Sequence, residues 1–234
     1  MPAGKIFIIP TPISDVDPKS VLPNMVIETI HNLDTFFVEN IRTARRFLSS
    51  IGVKNIQDLA FEIMDKNTDQ QSLERMILIV KNGKDAGIMS EAGCPGIADP
   101  GSGITGLAHK NGIKVIPFTG PSSIFLALMA SGFNGQNFQF HGYLPIDREA
   151  RKKSLLDLER MVYTKNQTQI FMETPYRNNQ ILDTLLKILK PETLLCIAAD
   201  ISSENEFIQT QPVSIWRKQI PDIHKKPVMF LLYK

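Results

Sequence analysis

Short apolar runs that stop at a proline- or glycine-rich turn and give way to a helical pattern recur along this chain. Residues 5–9 end at Pro10-Thr11-Pro12, residues 86–89 at a loop over 90–101, residues 113–118 at Thr119-Gly120-Pro121, and residues 168–172 at Glu173-Thr174-Pro175. Runs this short have the length of a buried strand, and proline cannot donate to a ladder, so each turn closes its strand. Thr35-Phe36-Phe37-Val38 reads as a further strand. Helical periodicity over 19–31, 40–50, 72–82, 103–110 and 121–131 fills the intervals. Strands alternating with helices require an α/β fold whose first sheet is mainly parallel.

Gly and Asn gather over 132–136, which marks a domain junction. Two α/β domains are therefore expected, over 1–134 and 135–234. The second holds strands at 137–143, 168–172, 194–199 and 228–233, helices at 148–163, 178–189 and 213–218, and an antiparallel strand at 206–210. Its sheet is expected to be mixed. No repeat of fixed period relates the halves.

The chain has 234 residues, more than the roughly 150 of a single domain. Hydrophobic residues are 43% and charged residues 21%, which excludes a disordered chain. The net charge of +2 does not by itself imply a nucleic-acid partner, so the placement of charge has to decide. Cys94 and Cys196 lie far apart with no Cys-x-x-Cys spacing, which favours a reducing compartment. No signal-like segment follows Met1 and no apolar run approaches the ~18 residues of a membrane span. A cytoplasmic protein without a membrane partner is expected. His31, His109, His141 and His224 show no metal-ligand spacing, so no metal is expected.

Chemistry is expected in the loops at the carboxyl ends of strands, where open α/β sheets bind ligands. The densest is the loop over 90–101, with three glycines and two prolines among its residues. Gly101 to Gly106 matches G-x-G-x-x-G, but it follows a loop instead of a strand and no acid stands at the ribose position, so the dinucleotide reading fails. Thr119-Gly120-Pro121-Ser122-Ser123 repeats the strand–turn–helix arrangement and offers hydroxyls and amides to a carboxylate or ribose, or else a plain helix cap. Glu39, Arg42, Arg45 and Arg46 share a helix whose spacing groups the arginines on one face, to grip phosphate or simply face water. Arg148, Arg151, Lys152, Lys153 and Arg160 give a second basic helix with the same two readings. Glu173 to Arg177 places an acid, a ring and a guanidinium in one turn.

In order along the chain, Ile9-Pro10-Thr11-Pro12-Ile13, the 90–101 loop, Gly120-Pro121-Ser122-Ser123 and Phe171-Met172-Glu173-Thr174-Pro175 form a set. The set resembles the tetrapyrrole-methylase superfamily of methyltransferases, nearest the branch that methylates a cytidine 2′-hydroxyl of small-subunit ribosomal RNA. The resemblance implies two α/β domains, a homodimer, and S-adenosylmethionine (SAM) in the cleft between domains. By motif position it implies SAM contacts from Ile13, Glu91, Cys94, Ser122 and Ser123, and by strand position from Met172, Ala199 and Pro227. The family's Glu-Asp-Thr-Arg box stands here as Glu39-Asn40-Ile41-Arg42, and its Ser-Asp-Ala-Gly as Ser90-Glu91-Ala92-Gly93. Its Glu-Leu-Thr-Lys region is replaced by Ala199-Asp200-Ile201-Ser202-Ser203-Glu204.

In-line methyl transfer to a ribose hydroxyl needs positioning and a group to accept the proton. Glu39 and Glu173 are the expected bases and Arg42 the residue that orients phosphate or polarises the hydroxyl. Three functions remain open at this point: methylation of ribosomal RNA or of the small subunit, methylation of a tetrapyrrole-like or other metabolite, and SAM binding without catalysis.

Overall fold

The computed structural model describes residues 2–234, which form two compact units that divide between Ser122 and Ser123. The first unit contains, in order, β1 (Lys5–Ile8), α1 (Pro18–Val21), α2 (Asn24–His31), β2 (Thr35–Val38), α3 (Ile41–Ser50), a 3₁₀ turn (Ile56–Asp58), β3 (Ala60–Ile63), α4 (Gln70–Lys81), β4 (Ala86–Met89), α5 (Ser102–Lys110) and β5 (Lys114–Pro117). Its five strands are all parallel in the order β3-β2-β4-β1-β5. Because alternate strand residues point to opposite faces, Phe36 and Phe37 serve different cores. Phe36, with Val26, Ile30 and Leu48, packs under α2 and α3; Phe37, with Met76, Val80, Ile88 and Ile104, packs under α4 and α5.

The second unit contains α6 (Ser123–Ser131), β6 (Phe138–Tyr143), α7 (Arg148–Lys165), β7 (Thr168–Glu173), α8 (Asn178–Ile188), β8 (Leu194–Ala199), β9 (Phe207–Pro212), α9 (Val213–Trp216) and β10 (Val228–Tyr233). Its sheet runs β6-β7-β10-β8-β9 and is mixed: β6 and β7 are parallel, while β10 is antiparallel to both its neighbours and β8 to β9. Leu155, Leu158 and Val162 of α7 and Ile181 and Leu185 of α8 cover Phe171, Ile197 and Phe230 of the sheet, and Trp216 completes this core. The Trp216 indole N–H donates to Leu195 O at 2.8 Å, so the one polar atom of a fully buried ring is satisfied.

The α/β architecture with a parallel first and mixed second sheet agrees with the sequence reading. Three boundaries differ. The expected helix over 19–31 is two helices, because Pro23 has no N–H to continue α1 and instead precedes α2. The strand β3 was not anticipated; Ala60-Phe61-Glu62-Ile63 is short, interrupted by Glu62 and at a sheet edge, so it lacks the unbroken apolar run that betrays a buried strand. The units divide earlier than the glycine-rich 132–136 segment, since α6 packs against β9 and β10, and Thr210 Oγ1 donates to Ser131 O at 2.8 Å.

Candidate functional site

With five parallel strands, the segments that follow β1, β2, β3, β4 and β5 all leave the same edge of the first sheet. They are tied together there. Thr11 and Gly93 form a two-bond antiparallel bridge, N–H to O at 2.9 and 3.1 Å, joining the loop after β1 to the loop after β4. The Cys94 thiol donates to Pro121 O at 3.4 Å, joining the loop after β4 to the turn after β5. The Glu91 N–H donates to Glu39 Oε2 at 3.0 Å, and Thr43 Oγ1 donates to Glu91 Oε1 at 3.1 Å, bringing in the end of β2 and the start of α3. Asn40 caps α3 by accepting from the N–H groups of Arg42 and Thr43 at 2.9 and 3.3 Å.

The expected residues of this unit therefore converge. Ile13 stands beside Gly93, where an added Cβ would meet Ile13 Cγ2 at 3.4 Å and Pro121 O at 3.9 Å. Glu91 is exposed and Cys94 and Ser122 are half-buried, while Ser123, which opens α6, begins the second unit. Burial and the charge of Asp99 push the Cys94 thiol up, so it stays neutral. Of the arginines on α3, Arg42 and Arg46 are exposed and form no ion pair among the described residues, whereas Arg45 lies 5.3 Å over the Phe61 ring.

Beside these contacts the same edge holds a cleft of about 570 Å³ lined by Glu39, Asp65, Lys66, Thr68, Asp99, Ser102 and apolar neighbours. Asp99 was missed in the sequence, although an acid in a glycine- and proline-rich loop at a strand's carboxyl end is a readable signal. The chain reaches it through Ala98 at φ +64°, a left-handed conformation that costs a side-chain-bearing residue about 1 kcal/mol. Gly96 N–H donates to Pro100 O at 3.0 Å and closes the turn around it. Burial pushes the Asp99 carboxyl up to about 6; the negative charges of Glu39 and Glu91 add to this and the Ser90 hydroxyl opposes it.

In the second unit the expected residues share the edge at which β7 and β8 end and β10 begins. Glu173 and Ala199 both pair with Val228 across that edge, and Met172 lies one residue inside. Pro227 is exposed, and its carbonyl accepts from Asp200 N–H at 3.0 Å. Ala199 is fully buried. Glu173 is not free: its buried side chain accepts from Thr174 N–H at 2.6 Å and from Arg177 Nε at 3.0 Å through Oε1, while Oε2 has no partner. The Glu173–Arg177 pair thus fixes the turn that the sequence singled out. The segment that departs from the family's Glu-Leu-Thr-Lys is a tight turn, with Asp200 and Ser202 left-handed and Ser202 N–H donating to Glu206 Oε2 at 2.7 Å. Among the described residues, no three His, Cys, Asp or Glu side chains are grouped to hold a metal ion, and no helix is long and apolar enough to cross a membrane.

Comparison with known proteins adds four findings. The family model of Tetrapyrrole (Corrin/Porphyrin) Methylases matches residues 23–214. The chain is 30% identical over 230 residues to "Ribosomal RNA small subunit methyltransferase I" of Vibrio cholerae serotype O1, covering 97% of this chain and 76% of that one. In fold it is similar to the methyltransferase CobJ, with a TM-score of 0.66, 14% identity and coverage of 99% of this chain and 95% of that one. It is also similar in fold to a uroporphyrin-III C-methyl transferase from Thermus thermophilus complexed with S-adenyl homocysteine, with a TM-score of 0.60, 11% identity and coverage of 99% and 98%.

Proposed function

Because the chain belongs to the tetrapyrrole (corrin/porphyrin) methylase family and is a SAM-dependent methyltransferase, we propose that its acceptor is a cytidine 2′-hydroxyl of small-subunit ribosomal RNA. The observation that carries this reading is similarity along nearly the whole chain to an enzyme named for that substrate class. Exposed Arg42 and Arg46 on α3, and exposed Lys152 and Lys153 on α7, support it by offering cations to phosphate. The reading has the enzyme act in the cytoplasm, where ribosomal subunits are, as a homodimer.

The first unit suits the donor. The missing side chain of Gly93 leaves a small cradle beside Ile13 and Pro121, and Ser14 Oγ next to it is buried without a partner, a polar atom that a ligand would satisfy. Ile13, Glu91, Cys94 and Ser122 would hold SAM, with Ser123, Met172, Ala199 and Pro227 as the second unit's contribution. When bound, SAM supplies a methyl carbon made electrophilic by its positive sulfur. The residues of the chain position the acceptor and exclude water, and orientation of this kind accounts for much of a displacement's acceleration. Glu39 pins the Glu91 loop while facing the cleft, Arg42 reaches for phosphate, and Glu173 holds Arg177.

The test is to incubate the enzyme with methyl-labelled SAM and small ribosomal subunits from cells lacking it, then digest the RNA and locate the label. Label on a cytidine ribose is the expected result. Label on a base, label only in a metabolite pool, or SAM binding with no transfer overturns the reading.

A further inference from the structure

We propose that Asp99 is the catalytic base that takes the hydroxyl proton of the acceptor ribose, in the cleft that it lines with Glu39, Asp65 and Ser102. The inference rests on the acceptor named above and adds the group that completes the transfer.

The other carboxylates in and around the cleft are engaged in holding the protein together. Glu39 Oε2 accepts the Glu91 N–H, and Glu91 Oε1 accepts the Thr43 hydroxyl. Asp65 Oδ1 accepts the Asn67 N–H at 2.8 Å and the Thr68 hydroxyl at 3.1 Å. Glu173, the other base expected from the sequence, belongs to the second unit, with Oε1 taken by Thr174 and Arg177 and Oε2 unpartnered but buried away from solvent. The Ser90 hydroxyl beside Asp99 has a single proton, shared between Asp99 and Ala92 O at 3.1 Å, and so engages at most one lone pair of the carboxylate. Asp99 is thus left with lone pairs for a donor that arrives from the cleft. Ala98, immediately before it, is left-handed, so the loop that carries Asp99 is held in a shape unfavourable to a residue with a side chain.

The surroundings suit a base. Burial raises the proton affinity of Asp99 to a value of about 6, nearer to neutrality than a free carboxylate, and a base works best when its pKa lies near the working pH. The charged groups facing it are Glu39 from the end of β2, Glu91 from its own loop, and Asp65 and Lys66 from the segment after β3. At neutral pH the Asp99 carboxylate is ionised and ready. The acceptor oxygen forms its bond to the methyl carbon as the carbon–sulfur bond breaks. That electron pair leaves with sulfur, which becomes neutral, and the hydroxyl proton passes to Asp99, so charge and atoms balance.

The experiment is single-turnover methylation of small ribosomal subunits at saturating SAM between pH 5 and 9. The wild-type rate is expected to be level above pH 7 and to fall toward tenfold per unit below about 6. Asp99→Asn should lose about 100-fold or more of the rate while binding SAM within about threefold of wild type by calorimetry, and Asp99→Glu should recover part of the loss. Glu39→Gln should move the acid limb to lower pH, because it removes a negative neighbour that raises the Asp99 proton affinity. An Asp99→Asn rate within about tenfold of wild type, or an acid limb that Glu39→Gln leaves in place, overturns the proposal; the second result is read without any Asp99 variant having to fold. Should the wild-type enzyme label a metabolite and no RNA, the acceptor reading fails, and the same profile taken on that metabolite decides Asp99 alone.

Discussion

Asp99 carries its negative charge at neutral pH against the preference of its surroundings. The native state binds the proton with a pKa of about 6, against 3.8 for an unperturbed aspartate. The stabilisation that protonation brings is complete below about pH 4 and is lost as pH rises through 6. Asparagine mimics the neutral form, so Asp99→Asn should be more stable than wild type by about 1 kcal/mol at pH 7.5, a figure reduced from the full shift because the group is half exposed. Below about pH 4 the advantage should vanish; urea midpoints at the two pH values measure it. A variant that gains stability and loses turnover is the pattern of a site strained for its task. At this scale the sequence was partly legible. Glycine and proline content singled out the loop over 90–101, and the family resemblance picked Glu91 and Cys94 from it; Glu39 stood out as a base through the resemblance to the Glu-Asp-Thr-Arg box and Glu173 through its turn after a strand. Their hydrogen bonds to Glu91 N–H, Thr174 N–H and Arg177 come from neighbours that residue type alone does not reveal.

Among the elements, strand–turn–helix units were the most legible, since each couples a short apolar run to a proline or glycine and then to a helical period. What the pattern does not contain is how tightly neighbouring turns approach. A Cβ on Gly120, after β5, would lie 2.1 Å from Pro10 Cγ and 2.3 Å from Pro10 Cβ, after β1. The Pro10 ring is stiff, so Gly120→Ala should destabilise by about 1–3 kcal/mol in a denaturant titration and, by parting the two turns, should weaken SAM binding measured by calorimetry. The α1–α2 break was readable from Pro23 and was passed over because the apolar period continues across it. The edge strand β3 had no comparable signal: it is short, broken by Glu62 and exposed at three of its four residues, and it joins the sheet by pairing with β2 and by the stacking of Phe61 on Phe36.

For the whole molecule, a net charge of +2 does not tell where its cations stand. Arg42 and Arg46 stand in water without ion-pair partners among the described residues, so they are available to phosphate at little desolvation cost. If they contact RNA, replacing both with alanine should lower the slope of log affinity against log salt by about one to two, while leaving SAM affinity unchanged; filter binding to small-subunit RNA over a salt series gives the slope. The division of the chain near Ser122 was less legible than its fold class, because the glycine-rich segment over 132–136 advertises a hinge while the apolar helix before it has already joined the second sheet. That sheet has its own consequence for how the protein is made. Its central strand, β10, is the latest in sequence, and β7 and β8 meet only through it. A nascent chain that has emerged as far as residue 227 therefore carries two β-pairs with no common neighbour, and the second unit must wait for six more residues to leave the ribosomal tunnel while the first, whose strands are already complete, can close on its own.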